Sequence, residues 1–107
     1  MRVGSINGIN GNDIPDVYAL YDGYPNPFNP FTTIRYDLPR ETEVKLLVFD
    51  ILGRQVKTLV SENQNAGYQS VQWNGLDDTG RPVGTGIYLY RIEAEGFVET
   101  RKLLFLK

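Results

Sequence analysis

The sequence predicts an all-β domain in which short antiparallel strands pack as two layers. Seven short apolar segments, several with alternating polar and apolar positions, are separated by clusters of turn residues. No window of a dozen residues carries an apolar stripe with helical periodicity. The 107 residues, 41% of them hydrophobic, are enough for one domain with a single core. Together these observations predict a seven-stranded antiparallel β-sandwich of the immunoglobulin type.

The composition excludes several classes of function. The formal net charge is −2 and no basic block is present, which argues against a nucleic-acid partner. The absence of histidine and cysteine excludes disulfides, Ser-His-Asp and Cys-His nucleophiles and nearly all zinc sites. One of the longest apolar runs, Leu103–Leu106, is far shorter than a membrane span. We therefore expect a chain that is not an enzyme, carries no cofactor and has no membrane span.

The first segment of the chain differs in composition from the rest. Residues 1–16 are rich in Gly and Asn, and we interpret them as a linker or a loosely docked arm. Three isoleucines in this arm, Ile6, Ile9 and Ile14, are free to pair with another segment. Residues 17–107 form the predicted domain.

The segment from Tyr24 to Pro30, here called the proline loop, contains Pro25, Pro27 and Pro30 together with the aromatic residues Tyr24 and Phe28. Because each proline lacks a backbone donor and has a fixed φ, this segment can be neither a helix nor a central strand. An exposed linker has no need for two large aromatic side chains. We therefore expect both rings to be buried and to clamp the loop against the core. A semi-rigid linker and a P-x-x-P ligand for an aromatic groove are the alternatives.

Apolar patterns mark the strands. Ile34, Tyr36 and Leu38 share one face of their segment, which predicts a half-buried strand. The segment Val44–Ile51 is apolar on both faces, so we expect a central strand that is covered on both sides. Gly53 marks the turn after it. The predicted strands are Val17–Tyr21, Thr32–Leu38, Val44–Ile51, Gln55–Val60, Tyr68–Trp73, Ile87–Ala94 and Phe97–Leu106.

Irregularities in the pattern locate bends and loops. Val56 and Leu59 are three positions apart, which breaks strict alternation and predicts a bulge or a bend. Residues 61–67 are predicted to be a polar loop, and 74–86 is the longest irregular segment. The single tryptophan, Trp73, is expected in the core, because truncating so large a buried side chain costs on the order of 3–5 kcal/mol.

The longest irregular segment holds candidate metal ligands. Asn74, Asp77 and Asp78 offer oxygen atoms to a calcium ion, but the same residues are also typical of tight turns. Asp77 with Asp78, and Glu93 with Glu95, are adjacent carboxylate pairs of the kind that glycosidases use. Neither pair has a visible apolar pocket that would raise a carboxyl pKa. We expect the two glutamates to solvate one face of a hairpin.

Four aromatic residues on predicted strands are candidates for a sugar-binding platform. They are Tyr68, Trp73, Tyr88 and Tyr90. Burial in the core is the competing interpretation, and it is the one we favour for the tryptophan.

The last predicted strand has an apolar row on each face. Leu103 and Phe105 lie on one face and Leu104 and Leu106 on the other, so that one row packs inward while the second is offered outward. We expect an edge or near-edge strand that a partner recognises by strand addition. Lys107 adds an ammonium group next to the terminal carboxylate, and we expect a partner to recognise these two adjacent charges.

Four segments carry a resemblance to a known family. They are Leu20–Leu38 with its Tyr-Pro-Asn-Pro-Phe motif, Val48–Val56, Trp73-Asn74-Gly75 and Gly86–Arg91. Together with the apolar last strand and Lys107, they resemble the C-terminal sorting domains of the type IX secretion system over about residues 17–107. The middle portion is also similar to the immunoglobulin-like domain of the flagellar hook-capping protein.

The resemblance implies a non-catalytic secretion signal domain for an attached cargo protein. Such domains are recognised by the outer-membrane translocon, and a sortase-like peptidase commonly removes them, here before about Val17, so that cargo is released or attached to the surface. The implied location is secreted or cell surface, reached through the periplasm and the outer membrane. The family's signal lies chiefly in its last strands, here Ile87–Lys107.

Two other functions remain open, a structural immunoglobulin-like module of an extracellular assembly and a carbohydrate-binding accessory module. The residues that we expect a partner to recognise are Leu103, Leu104, Phe105, Leu106 and Lys107. Those that we expect to be structural are Tyr24, Pro25, Pro27, Phe28, Pro30, Gly53, Trp73 and Tyr88.

Overall fold

A computed structural model describes residues 14–107, and within that range every regular element is a strand. The interpretation of 1–16 as an arm lies almost entirely outside the described residues, as do Ile6 and Ile9. The strands are β1 (Ala19–Leu20), β2 (Thr32–Leu38), β3 (Thr42–Asp50), β4 (Gln55–Gln64), β5 (Gly67–Trp73), β6 (Gly86–Ala94) and β7 (Phe97–Phe105).

The seven strands form two antiparallel sheets. One sheet has three strands in the order β1-β2-β5, and the other has four in the order β4-β3-β6-β7. The predicted all-β, seven-stranded antiparallel sandwich is confirmed. Strands β1 and β7 are edges of different sheets, and the proline loop runs between them.

Alternation along the strands builds the core between the sheets. On β2 the side chains of Ile34, Tyr36 and Leu38 are buried, as their shared face predicts. They meet buried residues of β3 and β6 from the other sheet, among them Leu46 and Tyr90. Removing such side chains from water is the dominant favourable contribution to folding.

The outer face of the four-stranded sheet departs from prediction. We expected Val44–Ile51 to be covered on both sides, but Leu47 and Phe49 on the outer face are only half-buried. The guanidinium of Arg91 lies 4.6 Å from the ring centroid of Phe49 and gives it partial cover. The prediction was wrong because an apolar outer row can remain partly exposed on a sheet face that no second layer within residues 14–107 covers.

Strand β4 contains the irregularity that its spacing predicts. Opposite β3, the register skips Leu59 and then Val56, so each is the extra residue of a bulge. The strand then continues to Gln64, whereas we expected a polar loop from Ser61. Backbone pairing with β3 continues through these polar residues, because the hydrogen bonds between the strands are made by the backbone and do not require apolar side chains.

The proline loop crosses from one sheet to the other. Tyr24 exchanges two backbone hydrogen bonds with Thr33 in the first sheet, and Phe28 is then bridged in parallel to Phe105 of β7. Phe28 is 1% exposed, whereas Tyr24 is 72% exposed, so the expectation that both rings are buried was wrong for Tyr24. The backbone of Tyr24 is what holds the loop, and its ring is left in solvent.

An aromatic cluster joins the proline loop to both sheets. The ring centroid of Phe28 lies 4.7 Å from that of Phe105 and 5.4 Å from that of Trp73. Trp73, which is fully buried as expected, also meets the ring of Tyr88 edge-on at 5.3 Å. Its indole N–H donates to the carbonyl of Leu76 at 2.9 Å, so the buried donor is satisfied.

A glycine lets the loop after Trp73 approach this cluster. Gly75 has a φ of +77°, and a Cβ built on it would lie 2.9 Å from Cζ of Phe105. Gly80, with a φ of +86°, has a similar backbone but no atom near that position. Both positions favour glycine for its backbone freedom, but only Gly75 is also restricted by packing.

We predict that Phe28→Ala lowers the free energy of unfolding by about 3–5 kcal/mol, because it leaves a cavity between Trp73 and Phe105. Phe31→Ala is the matched control, since Phe31 is 43% exposed and its truncation removes less buried area than that of Phe28. Chemical denaturation followed by tryptophan fluorescence measures both changes. Equal stability of the two variants would contradict the role of Phe28 as a clamp.

We predict that Gly75→Ala is more destabilising than Gly80→Ala. Both variants bear the cost of an alanine at positive φ, about 1 kcal/mol, but only Gly75→Ala forces the Phe105 ring to move, which adds about 1–3 kcal/mol. Thermal unfolding monitored by circular dichroism compares them. If both variants lose the same stability, the close approach to Phe105 carries no energetic weight.

Candidate functional site

The last strand has the two-sided character that its sequence predicts. Among the strands of residues 14–107, β7 pairs with β6 alone and is an edge of the four-stranded sheet. Leu103 and Phe105 are buried in the core, Leu104 is half-buried, and Leu106 is 44% exposed. One apolar row therefore stabilises the sandwich while the other lies on its outer face.

The outer row of β7 belongs to a larger apolar surface. Leu104 lies opposite Ile87 on β6, and Leu89 lies opposite Phe49 on β3. With Leu106, which follows the end of β7, these residues form an apolar strip across the outer face of the sheet. We call these five residues the outer strip.

The free edge of β7 is already occupied at its end. The side-chain amide of Asn26 donates to the carbonyl of Lys102 and accepts a hydrogen bond from the N–H of Leu104, at 3.3 and 2.9 Å. The N–H of Phe28 donates to the carbonyl of Leu104, and the carbonyl of Phe28 accepts from the N–H of Leu106, at 2.9 and 3.1 Å.

These four bonds overturn the expectation that strand addition takes place at the end of β7. The Asn26 amide uses one of its N–H donors and its oxygen, which are spaced like the donor and acceptor of a peptide group. It thereby completes the ladder where the proline loop has not yet joined the strand. The backbone groups that an added strand would need, from Lys102 to Leu106, already have partners. What remains available at this end are side chains.

The tight turns in the chain are built on aspartate. The carboxylate of Asp77 accepts hydrogen bonds from the N–H groups of Thr79 and Arg81, at 2.9 and 3.0 Å, and from the Thr79 hydroxyl. These bonds, led by that from the Thr79 hydroxyl, lower the pKa of Asp77. Asp78 accepts from the N–H of Thr58 and so ties this loop to β4.

The turn between β3 and β4 repeats the same construction. Asp50 accepts hydrogen bonds from the N–H groups of Leu52 and Arg54, and the Arg54 N–H bond is the main cause of its lowered pKa. Both turns have the sequence Asp-x-x-Gly-Arg, at 50–54 and 77–81. We did not predict this repeat from the sequence, although the shared pattern is visible there. Gly53 has a φ of +83°, which explains the glycine.

The two turns face each other across an open cleft of about 440 Å³. Its walls include Val56, Val83 and Tyr88, together with both turn aspartates. Each of these aspartates is held ionised by bonds from its own turn. Burial is the main cause of the raised pKa of Tyr88, whose hydroxyl donates to the Gly84 carbonyl at 2.6 Å.

The candidate metal and carboxylate sites have structural partners. The side-chain oxygen of Asn74 accepts a hydrogen bond from the N–H of Leu76, which caps its own turn. Within 14–107, no group of three or more acidic side chains has the geometry of a metal site. Glu93 pairs with Arg91 at 2.8 Å, and Glu95 pairs with Arg40 at 3.2 Å, so each glutamate is engaged by an arginine.

The four aromatic residues proposed as a sugar platform do not form one. Trp73 and Tyr90 are fully buried and Tyr88 is nearly so. Tyr68 lies on the same strand as Trp73 but is 62% exposed. The hydroxyl of Tyr90 donates to the carbonyl of Tyr21 at 2.6 Å, and burial raises the pKa of Tyr90 to about 12. Three of the four candidates are therefore core residues.

Comparisons with known proteins place this fold in context. No helix within 14–107 has the length and apolar character that a membrane crossing requires. No curated protein sequence matches the chain. Among solved structures, latent PorU from Porphyromonas gingivalis has a TM-score of 0.68 at 20% identity, covering 94% of this chain and 10% of its own.

Two further solved structures share the fold. PorZ from the same organism, described as an essential surface component of the type IX secretion system, has a TM-score of 0.59 at 19% identity over 82% of this chain and 11% of its own. FlgD from P. aeruginosa has a TM-score of 0.56 at 24% identity over 69% of this chain and 60% of its own. The chain thus spans about a tenth of PorU and PorZ.

The family comparison extends from the strand after the proline loop to the turn before β7. The family model of the FlgD Ig-like domain matches residues 31–96, more than half of the chain. The proline loop and the last strand lie outside the matched range. The chain belongs to the FlgD Ig-like domain family.

Proposed function

We propose that this chain is a non-catalytic C-terminal secretion signal domain that directs an attached cargo protein through the type IX outer-membrane translocon. The observation that carries the proposal is the joining of the proline loop to β7. Both elements lie outside the family match at 31–96, and both belong to the segments that resemble sorting domains. The fold that the chain shares with PorZ, a type IX secretion component by its description, adds support.

In this proposal the translocon recognises exposed side chains and does not pair with a free strand edge. The edge of β7 from Lys102 to Leu106 is filled by the proline loop, whereas the outer strip is accessible. Leu104 and Leu106 present apolar area there, and the exposed Lys107 directly follows Leu106 in the chain. Leu103 and Phe105, which we also expected a partner to recognise, act indirectly by fixing the strand in the core.

The remaining partners in this proposal are the cargo and a sortase-like peptidase. Cleavage falls before about Val17, and the structure supports access there, since Ile14 is 46% exposed and Val17 is 67% exposed ahead of β1. A peptidase needs such an accessible segment outside regular structure. The cargo is then released or attached to the cell surface, after passage through the periplasm and outer membrane.

A structural module of an extracellular assembly is the second candidate function. The observation that favours it is the family match itself, together with the fold shared with FlgD over 60% of that chain. A module of this kind would use the same sandwich as a rigid spacer. It would not require the outer residues of the last strand for export, which separates the two functions experimentally.

We predict that Leu104→Gln with Leu106→Gln leaves a reporter fused to this domain in the periplasm of a host with an active type IX system. The reason is that both side chains belong to the outer strip and their loss removes apolar recognition area without opening the core. Fractionation and immunoblotting measure the location of the reporter. Val98→Gln is the matched control, because Val98 is 59% exposed on the same strand but lies outside the last five residues.

Two outcomes would contradict the sorting proposal. One is efficient export of the doubly substituted reporter, and the other is equal retention of the Val98→Gln control. Removal of residues 1–12 is expected to leave export unchanged. Thermal unfolding of each purified domain verifies that the substitutions have left the sandwich intact.

We predict that the purified chain turns over neither glycosides nor peptides. The carboxylates of Asp50 and Asp77 are held ionised within their turns, and Glu93 is paired with Arg91, so none is poised as a general acid. Assays with chromogenic glycosides and fluorogenic peptides test this. Turnover that disappears in Asp77→Asn or Glu93→Gln would overturn it.

A further inference from the structure

Strand β5 is an edge of the three-stranded sheet, and its seven residues, Gly67–Trp73, include neither a charged residue nor a proline. Its pairing with β2 is continuous and has no bulge. Edge strands commonly carry charges, prolines or bulges, because these features prevent pairing with another chain. The side of β5 that faces away from β2, here called the β5 edge, has none of them.

The strand register shows which backbone groups lie at the β5 edge. Thr33 and Arg35 of β2 direct their backbone groups away from β5, where they bond to the proline loop and to the residue after β1. Gln72 lies opposite Thr33, and Ser70 lies opposite Arg35. In an antiparallel pair the residues of such a position do not bond to each other, so both point their N–H and C=O groups outward. Ser70 and Gln72 therefore present two donors and two acceptors at the edge.

These four backbone groups are accessible. Ser70 and Gln72 are both exposed. Within 14–107, the backbone of neither residue makes a hydrogen bond to another segment. A row of unpaired donors and acceptors on a regular strand is a template for a further strand.

The other three sheet edges are protected in different ways. Strand β1 is only two residues long. Strand β7 is filled by the proline loop from Lys102 to Leu106 and carries the charged residues Glu99 and Arg101. Strand β4 has two bulges and carries Lys57 and Glu62. Among the edges that the structure describes, the β5 edge is the one suited to strand addition.

We infer that the β5 edge pairs with the β5 edge of a second copy of this chain, so that two three-stranded sheets join into one of six strands. The pairing is antiparallel, because a two-fold axis through the middle of the joined sheet reverses the strand direction. With the axis beside Val71, Ser70 of one copy lies opposite Gln72 of the other. Each of the two Ser70–Gln72 positions exchanges a pair of backbone hydrogen bonds, which makes four in all.

The side chains of β5 favour its own copy as the occupant. Like charges directly opposite each other destabilise a strand pair, and an uncharged strand that meets itself has none. The Ser70 hydroxyl and the Gln72 amide of the two copies lie on the same face of the joined sheet, where they can bond to each other. On the other face, Val71 is half-buried against the core, and the Val71 of the second copy would cover more of it.

The expected dimer is weak. Two strands of seven residues that meet along their edges bury less surface than a standard protein interface, which is about 1,600 Å². We therefore expect a monomer at low micromolar concentration and a growing fraction of dimer toward the millimolar range. Sedimentation equilibrium of the full chain measures this association.

Hydrogen exchange locates the contact. In the dilute chain the N–H groups of Ser70 and Gln72 should exchange faster than those of Gln69 and Val71, which point toward β2. In the concentrated chain we expect the exchange of Ser70 and Gln72 to slow in proportion to the fraction of dimer. Nuclear magnetic resonance reads both patterns residue by residue.

Two substitutions of Ser70 test the pairing. Ser70→Pro removes an N–H that points away from β2, so it removes an intermolecular bond and leaves the bonds within the sheet in place. Ser70→Lys adds a charge to the edge of each copy. Each is expected to weaken the dimer at least about tenfold, which corresponds to ~1.4 kcal/mol. Thr100→Lys is the matched control, because it makes a similar change at an exposed position of β7, and it should leave the association unchanged.

Three results would overturn the inference. They are a chain that stays monomeric at millimolar concentration, a dimer in which Ser70 and Gln72 gain no protection, and a dimer that Thr100→Lys weakens as much as Ser70→Lys. A chain that dimerises only after removal of residues 1–12 would likewise overturn it, since that segment would then be the occupant of the edge. Circular dichroism verifies that each variant is folded. None of these measurements depends on export of a fused reporter, so this inference and the sorting function fail independently.

Discussion

The packing of the Phe28 ring against Phe105 and Trp73 is the contact on which the rest of the structure depends. Within residues 14–107, β7 has a neighbouring strand on one side and the proline loop along the end of the other, and β1 is just two residues long. This side of the sandwich therefore has little pairing between strands. The ring holds a proline-rich segment, which has few donors to offer, against the edge of the second sheet. Apolar burial here replaces the hydrogen bonds that prolines cannot make.

Much of this architecture was predictable because side-chain alternation has a simple geometric meaning. The shared face of Ile34, Tyr36 and Leu38, and the two rows of the last strand, follow directly from the period of a strand. The three-residue spacing of Val56 and Leu59 predicted a bulge or a bend in this strand, and the register skips both residues. In each case the property depends on residues that are close in sequence.

The errors concern properties set by distant parts of the chain. Whether the ring of Tyr24 is buried depends on where its backbone pairs, and Thr33 determines that. Whether the outer face of β3 is covered depends on a second layer, which local apolarity does not specify. The use of the Asn26 amide as a substitute peptide group depends on β7, far along the chain.

The contacts of Phe28 also have a consequence for the time course of folding. The chain must be synthesised from Phe28 as far as Phe105 before the aromatic cluster and the paired edge can form. Contacts between residues so far apart in sequence have a high entropic cost of loop closure and form slowly. On the ribosome, the growing chain therefore lacks the contact between Phe28 and Phe105 until nearly all of these strands have emerged. Because this contact forms late, the chain remains unfolded for longer after its synthesis begins. An unfolded chain is the form that chaperones can bind.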